Sequence, residues 1–457
     1  VKRPLFILAL FLILQPAASA SAPPPRKLTL QECIAIAMKN ATAVRKAENN
    51  LEATGADVLR SYGSFLPKIS ATAGYSPRSV KRGITYDTDT TQIITTKTES
   101  EPINVGLTAS INLFNGLSDY AALRSAIELK QASGLTLQRA REFIVYDITQ
   151  HYYQALLDRE LAAIAAENLQ TSGELLTLTD RQYRIGLKSL ADLYQQQAEV
   201  AANSLTAITA ENQSRRSLSE LLRRLRIDPL TPFDIEPAAP TSAAKPPGPA
   251  DADSLAALGL QRRADLEAGR RQAEAARWQV KEAAGARLPK LDLALSLSSD
   301  ATNYYSSDGV SLTNLFPGWQ NQLENSFDYG ISLNLNWSIF DGFQTRYAVQ
   351  SAKAAMLNSR LDYEELRDGI VLDIRQTSTD YRAAFTRLDA ATASVRAADA
   401  AFGAVQRKYE LGATGFVELS AARTTRFNAR SGLTQAMYNL ALQRALLDHL
   451  TGTPITE

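Results

Sequence analysis

Cysteine, histidine and surplus charge are nearly missing from this chain of 457 residues. The single cysteine, Cys33, excludes an internal disulfide, and the two histidines, His151 and His449, stand in no two-His metal spacing. No metal site and no cofactor are expected. Lys and Arg number 49 against 48 Asp and Glu, so no basic surplus exists to attract nucleic acid. The chain has no GxxxxGK(S/T) phosphate loop and no GxSxG elbow, and its carboxylates are scattered along helical stretches as on solvated faces, so no enzymatic activity is expected. No stretch reaches 18 consecutive apolar residues, which excludes a transmembrane helix. The run Leu5 to Leu14 follows Lys2 and Arg3 and precedes Ala18-Ser19-Ala20, the pattern of a signal peptide over residues 1–20 with the mature chain starting at Ser21. A membrane anchor, the alternative, needs roughly 20 apolar residues rather than about ten. Cys33 does not directly follow the cleavage site, so it is not placed as a lipidated N-terminal cysteine.

Proline is absent from 103–228 and from 318–453, and clusters between Pro229 and Pro249. An internal proline costs a helix about 3 kcal/mol, so the two proline-free windows are where long helices can form. Apolar residues recur there every three or four positions, as in Phe143, Ile144, Ile148, Tyr152, Ala155 and Leu156, or Leu433, Met437, Leu440, Ala441 and Leu447. Continuous helices over about 118–184 and 344–410 would each run about 100 Å at roughly 1.5 Å per residue. Such lengths belong to coiled coils, and the many alanines permit close axis-to-axis packing. The alternative, an ordinary bundle of shorter helices, would need breaks at Gly134, Gly173, Gly369 or Gly403.

The two windows are copies. RQYRIGLKSLADL at 181–193 returns as RKYELGATGFVEL at 407–419, 226 residues later. FNG at 114–116 returns as FDG at 340–342 and DITQ at 147–150 as DIRQ at 373–376 with the same offset, while LPK at 66–68 returns at 288–290 with an offset of 222. In each copy a helical run meets a glycine able to take φ > 0 and resumes a few residues later, the mark of a tight turn between antiparallel helices. A unit of this size points to an internal pseudo-twofold rather than a solenoid.

Four stretches alternate with period two: 68–76, 103–113, 290–298 and 327–339. One face carries residues such as Ile69, Leu107, Leu295 and Leu333, and the other Thr108, Asn112, Asp292 and Asn334. Strands of this length with one apolar face suit a transmembrane barrel around a watery lumen; a soluble two-layer sheet is the alternative. Four strands cannot close a barrel, so a barrel must be shared, by two chains with eight strands or by three with twelve. The connections 77–102 and 299–326 read as long polar loops on the outer face, and 227–254 as an irregular Pro-rich connector.

The ordered set of a signal, LPK before each hairpin, FNG or FDG after it, a long helix, a Tyr-x-x-Gly turn and a returning helix resembles the TolC family of outer-membrane efflux and secretion ducts. The resemblance covers nearly the whole mature chain. It implies a mainly helical fold with a transmembrane β part: a homotrimer whose twelve-stranded barrel, four strands per chain, sits in outer-membrane lipid and continues into a periplasmic coiled-coil barrel. It divides the chain into repeat 1 (21–226, β-hairpin 67–114, helical turn 186–190), an equatorial connector (227–254) and repeat 2 (255–457, β-hairpin 289–340, helical turn 412–416). It implies a periplasmic adaptor and an inner-membrane pump as partners, with adaptor docking on Gly186, Leu187, Lys188 and Ser189 and on Gly412, Ala413 and Thr414. It places Asp192 and Tyr409 at two positions of an aperture network whose third, an arginine, is Thr414 here, and Glu418 at a lumen-facing carboxylate whose companion is Ala421. Three copies of Glu418 would favour cations. The plainer reading of these residues is structural: Tyr183 and Tyr409 packed beneath the turns, Asp192 and Glu418 stabilising helix N-termini by about 0.3 to 1 kcal/mol. For the whole molecule two readings stand, an export duct and a non-conducting trimeric coiled-coil spacer or surface receptor, and they differ in whether the lumen conducts.

Overall fold

The computed structural model describes residues 26–87, 92–228, 233–237, 251–313 and 315–453; the expected signal peptide and most of the Pro-rich connector lie outside them. In chain order the elements are β1 (Arg26–Leu28), α1 (Leu30–Asn40), α2 (Thr42–Gly63), β2 (Lys68–Tyr75), β3 (Ser79–Asp87), β4 (Gln92–Phe114), α3 (Ser118–Arg184), α4 (Leu190–Leu225) and β5 (Phe233–Ile235). There follow α5 (Asp251–Arg262), α6 (Ala264–Gly285), β6 (Lys290–Ser307), β7 (Val310–Ser311), α7 (Trp319–Asn325), β8 (Phe327–Asn336), α8 (Gln344–Glu410) and α9 (Phe416–Leu450). The two long helices, α3 and α8, have 67 residues each and pass through all four glycines without a break. The residues fall into two compact units.

The first unit comprises the chain up to Asn40, Asp147–Ala243 and Thr386–Leu442. A short strand of the connector lies there: β5 runs parallel to β1, pairing Arg26 with Phe233 and Leu28 with Ile235. Buried Tyr152 secures this small sheet, its hydroxyl 2.9 Å from the Glu236 carbonyl oxygen and 3.3 Å from that of Leu28. Arg159 adds a hydrogen bond of 2.8 Å from Nη1 to the Ile235 carbonyl.

The second unit comprises Ala41–Tyr146, Ala244–Phe385 and Gln443–Glu457. Its sheet is antiparallel in the order β2-β4-β6-β8, so the hairpins of the two repeats join side by side through β4 and β6. The register puts the odd positions on one face, with pairs Ala109·Leu295, Ile111·Leu293, Leu293·Leu333 and Leu295·Ile331. That apolar face is open: Ile69, Ile331, Leu333 and Leu335 are all more than 60% exposed. The even face carries small and polar residues, and Asn112 Nδ2 donates to Asp292 Oδ1 across the strands at 2.8 Å.

The connections between the strands differ from the polar loops expected of them. Residues 79–87 form β3 against an outward extension of β4, where Thr and Ile favour strand backbone although their apolar alternation lapses. β6 likewise runs to Ser307 and turns through Asp308 (φ 52°) and Gly309 (φ 82°) into β7, the Asp-Gly pair that a tight hairpin turn requires. The short helix α7 then packs on β6, and the Gln322 side chain serves the Thr302 backbone N–H (2.8 Å) and C=O (3.2 Å) where β8 no longer runs beside it. At its other end β8 stops at Asn336, three residues short of the alternation, whereas the matching β4 continues to Phe114. β4 has β6 beside it over that length; the outer edge of β8 has no neighbour among the described residues.

His449, near the end of α9, is packed against Tyr146 (ring centroids 4.9 Å apart, stacked) and Phe143. Burial, reinforced by Arg139 and Arg263, pushes its pKa down from 6.5 to about 4. A folded-state value below the unfolded one means that the unfolded chain binds the extra proton. Stability is therefore complete above about pH 6.5 and falls as pH drops towards about 4, by at most about 1.4 kcal/mol per pH unit for this one group. Thermal unfolding across this range should show His449→Gln losing part of the acid sensitivity of the unsubstituted protein.

Candidate functional site

Both helical hairpins turn by the same device. In the first, the Gly186 N–H bonds the Tyr183 carbonyl (2.9 Å) and the Leu187 N–H that of Gln182 (2.8 Å); in the second, Gly412 N–H bonds Tyr409 (3.1 Å) and Ala413 N–H bonds Lys408 (2.8 Å). These are Schellman closures, and they need a left-handed residue, which Gly186 (φ 79°) and Gly412 (φ 75°) supply. The returning helices start differently. Ser189 caps α4 in a capping box with Asp192, whose Oδ2 accepts the Ser189 N–H at 3.1 Å while Ser189 Oγ accepts the Asp192 N–H at 3.1 Å. Gly415 holds the matching place before α9 and has no side chain to offer, so Glu418 accepts instead from the Thr414 hydroxyl.

The two turn tyrosines have opposite fates. Tyr409 is fully buried with Leu175, Phe402 and Leu419, its hydroxyl 3.0 Å from Thr179 Oγ1. The Lys188 ammonium lies 4.0 Å from the centre of its ring and 3.5 Å from the Thr414 carbonyl oxygen. Tyr183 is 37% exposed. Within the chain, then, Lys188 and Thr179 of repeat 1 hold Tyr409 of repeat 2. Asp192 bonds Ser189, so the structure does not bring Asp192 and Tyr409 together. Glu418 is exposed, as are Gly186, Leu187, Ser189, Gly412 and Ala413, while Lys188 and Thr414 are half-buried.

Ile185 (71% exposed) and Leu411 (84%) crown the two turns, and sequence reasoning passed over them although they occupy the same place in both repeats. Thr179 left no such signal, because its counterpart is Val405. Further up, buried Arg423 pairs with Glu199, which also accepts from Ser420 Oγ at 3.0 Å; burial pushes the Arg423 pKa down to about 10.

Two 67-residue helices, two helical turns of one design and a four-stranded sheet with an exposed apolar face are the parts of a membrane duct protein of the barrel-and-tunnel class. The family model for outer membrane efflux proteins matches residues 33–225 and 255–453, and the chain belongs to that family. It is 27% identical to protein CyaE of Bordetella pertussis over 425 residues, covering 91% of this chain and 83% of that one. With TolC of Escherichia coli K12 the identity is 22% over 351 residues, 76% of this chain and 69% of that one. Among solved structures, the Campylobacter jejuni CmeC channel superposes with a TM-score of 0.80 at 17% identity, covering 95% of this chain and 90% of that one. VceC of Vibrio cholerae gives 0.78 at 18%, covering 93% and 97%. The chain is thus an outer-membrane efflux or secretion channel protein, not an enzyme, and it extends from the outer membrane into the periplasm.

Replacing Thr179 by Val should leave the buried Tyr409 hydroxyl unpaired, at a cost of about 1 to 3 kcal/mol. Adding Tyr409→Phe should recover much of it, since both partners are then apolar. Hydrogen exchange over residues 402–419 reads the result: faster in the single variant, and closer to the original in the double.

Proposed function

We propose that three copies of the chain close a twelve-stranded barrel continuous with a periplasmic tunnel, and that this duct passes cargo delivered by an inner-membrane pump through a periplasmic adaptor. The outer edges of β2 and β8, without a neighbour among the described residues and flanking a sheet whose apolar face is exposed, carry the reading. In lipid each unpaired backbone group costs several kcal/mol, and closure against further copies removes that cost. Repeat 1 (21–226) and repeat 2 (255–457) alternate around the ring, joined by the connector 227–254.

Adaptor docking falls on the two turns, Gly186 to Ser189 and Gly412 to Thr414, with Ile185 and Leu411 as apolar knobs. Glu418, released from any serine cap, lines the tip and selects for cations. Tyr409 acts on the aperture through its contacts with Thr179 and Lys188, and Asp192 by fixing the start of α4.

Single-channel recording of the purified protein in a planar bilayer tests this. Small, flickering, cation-favouring currents are expected, with Glu418→Ala weakening the cation preference and Tyr409→Phe lengthening the openings. A large steady conductance indifferent to both changes would overturn the tip assignment, and silence from a verified trimer would overturn conduction.

A further inference from the structure

The two outer connections of the sheet differ in kind. Residues 77–102 of repeat 1 carry eight charged side chains, whereas residues 309–323 of repeat 2 carry none and include Leu312, Leu315, Phe316, Trp319 and Leu323. Uncharged and rich in large apolar groups, the second stretch is poorly suited to stand free in water. Its place on the sheet is definite. β6 pairs Leu297 with Leu107, Ser299 with Val105 and Ala301 with Ile103, so Ser299 and Ala301 continue the apolar odd face beyond its last leucine. Helix α7 lies over them. Ser299 Oγ donates to the Leu323 carbonyl oxygen at 2.6 Å, and Ser299 and Ala301 are 7% and 2% exposed, while Ser298 and Asp300 on the even face stay open. The connection is thus folded back onto the apolar face, not over the polar one.

Aromatic side chains stand at the same level on that face. Phe327 pairs with Ser299, and Tyr75 with Ile103, the partner of Ala301. Both are more than half exposed, as is Tyr329. From Lys290 to Ala301 a strand rises about 37 Å at roughly 3.4 Å per residue, and about 28 Å along the membrane normal at a tilt of about 40°. The apolar band of an outer-membrane barrel is about 25 Å tall and edged by aromatic residues, so α7 lies where hydrocarbon gives way to headgroups. The long helices leave the sheet at its opposite end, which makes this the outer boundary.

We propose that residues 315–325 are an interfacial anchor: α7 lies on the outside of the barrel and inserts Leu315, Phe316 and Trp319 between the acyl chains and headgroups of outer-leaflet lipid. This rests on the barrel reading above. The three side chains are 69, 49 and 46% exposed within the chain, beside a rim that already faces lipid. An indole suits the boundary because its ring prefers the apolar side and its N–H the wet one. With the charged hairpin of repeat 1 left to water, the anchor fixes the depth at which the sheet rides.

Tryptophan fluorescence of the full-length protein in phosphatidylcholine nanodiscs tests this, with bromine on the acyl chains either near the headgroups or near the chain ends. In a chain carrying Trp278→Phe and Trp337→Phe, Trp319 should lose more intensity to bromine near the headgroups. A second chain adds Trp319→Phe and Leu333→Trp, which moves the indole to mid-band and should reverse that preference. With Leu333→Trp behaving so, a Trp319 quenched by aqueous iodide and not by bromine stands in water, and the anchor is overturned. A Trp319 reached by neither quencher is covered by a neighbouring copy, and one quenched more from the chain ends lies within the band; either result also overturns the anchor. Failure of bromine at any depth to quench Leu333→Trp overturns the barrel reading beneath it.

Discussion

Backbone hydrogen bonding in lipid governs the rest of this structure. A strand's N–H and C=O groups have no water partners inside a bilayer, so a sheet there must close on itself. One chain contributes four long strands in the order β2-β4-β6-β8 and leaves both outer edges without a neighbour among the described residues. Side-chain placement agrees with that demand: apolar residues on the odd face remain uncovered, and small or polar ones fill the even face. The same constraint explains the details at strand ends. β8 stops where its own chain has no more to pair with it, and at the opposite end Gln322 supplies an amide to the β6 backbone beyond the partner of Phe327, the first residue of β8.

Duplication meets the requirement with economy of design. Each repeat provides one strand hairpin and one helical hairpin, and the two strand hairpins join within one chain. Gly116 and Gly285 permit backbone contact at a spacing no side chain would allow, and the β4–β6 ladder joins the hairpins edge to edge. The repeats have diverged at the turns in ways that change their contacts. Thr179 against Val405, Lys188 against Thr414 and Ser189 against Gly415 each remove a polar contact from one repeat and leave it in the other. Divergence there changes how the tip is held without disturbing the Schellman closures, which rest on Gly186 and Gly412 alone.

Much of this was readable from residue order. Long helices followed from proline-free windows with three-to-four periodicity, the strands from strict alternation, and the helical turns from glycine at matched places in both copies. These are local signals: a helix needs only its own backbone, and a strand's apolar face shows in its period. The outer halves of β4 and β6 escaped because beyond the apolar band these stretches, Thr-rich in β4 and rich in Asn, Tyr and Ser in β6, lose the alternation that reveals them. The tip network escaped in part for a different reason. Asp192 and Tyr409 stand at positions that suggest a mutual bond, but Ser189, three residues before Asp192, captures its carboxylate first.

The sequence by itself determined the elements, the duplication and the two-faced strands, because periodicity, proline exclusion and left-handed glycines act within a few residues of chain. Only the tertiary structure decided that β4 pairs with β6, that β5 returns to lie beside β1, and that Tyr409 is buried while Tyr183 is exposed. Those outcomes depend on which distant surfaces meet, and two repeats with nearly the same local pattern present nearly the same surfaces. The difference between them arises from position: repeat 2 finds repeat 1 beside it in the same chain, and the far side of repeat 1 faces outward.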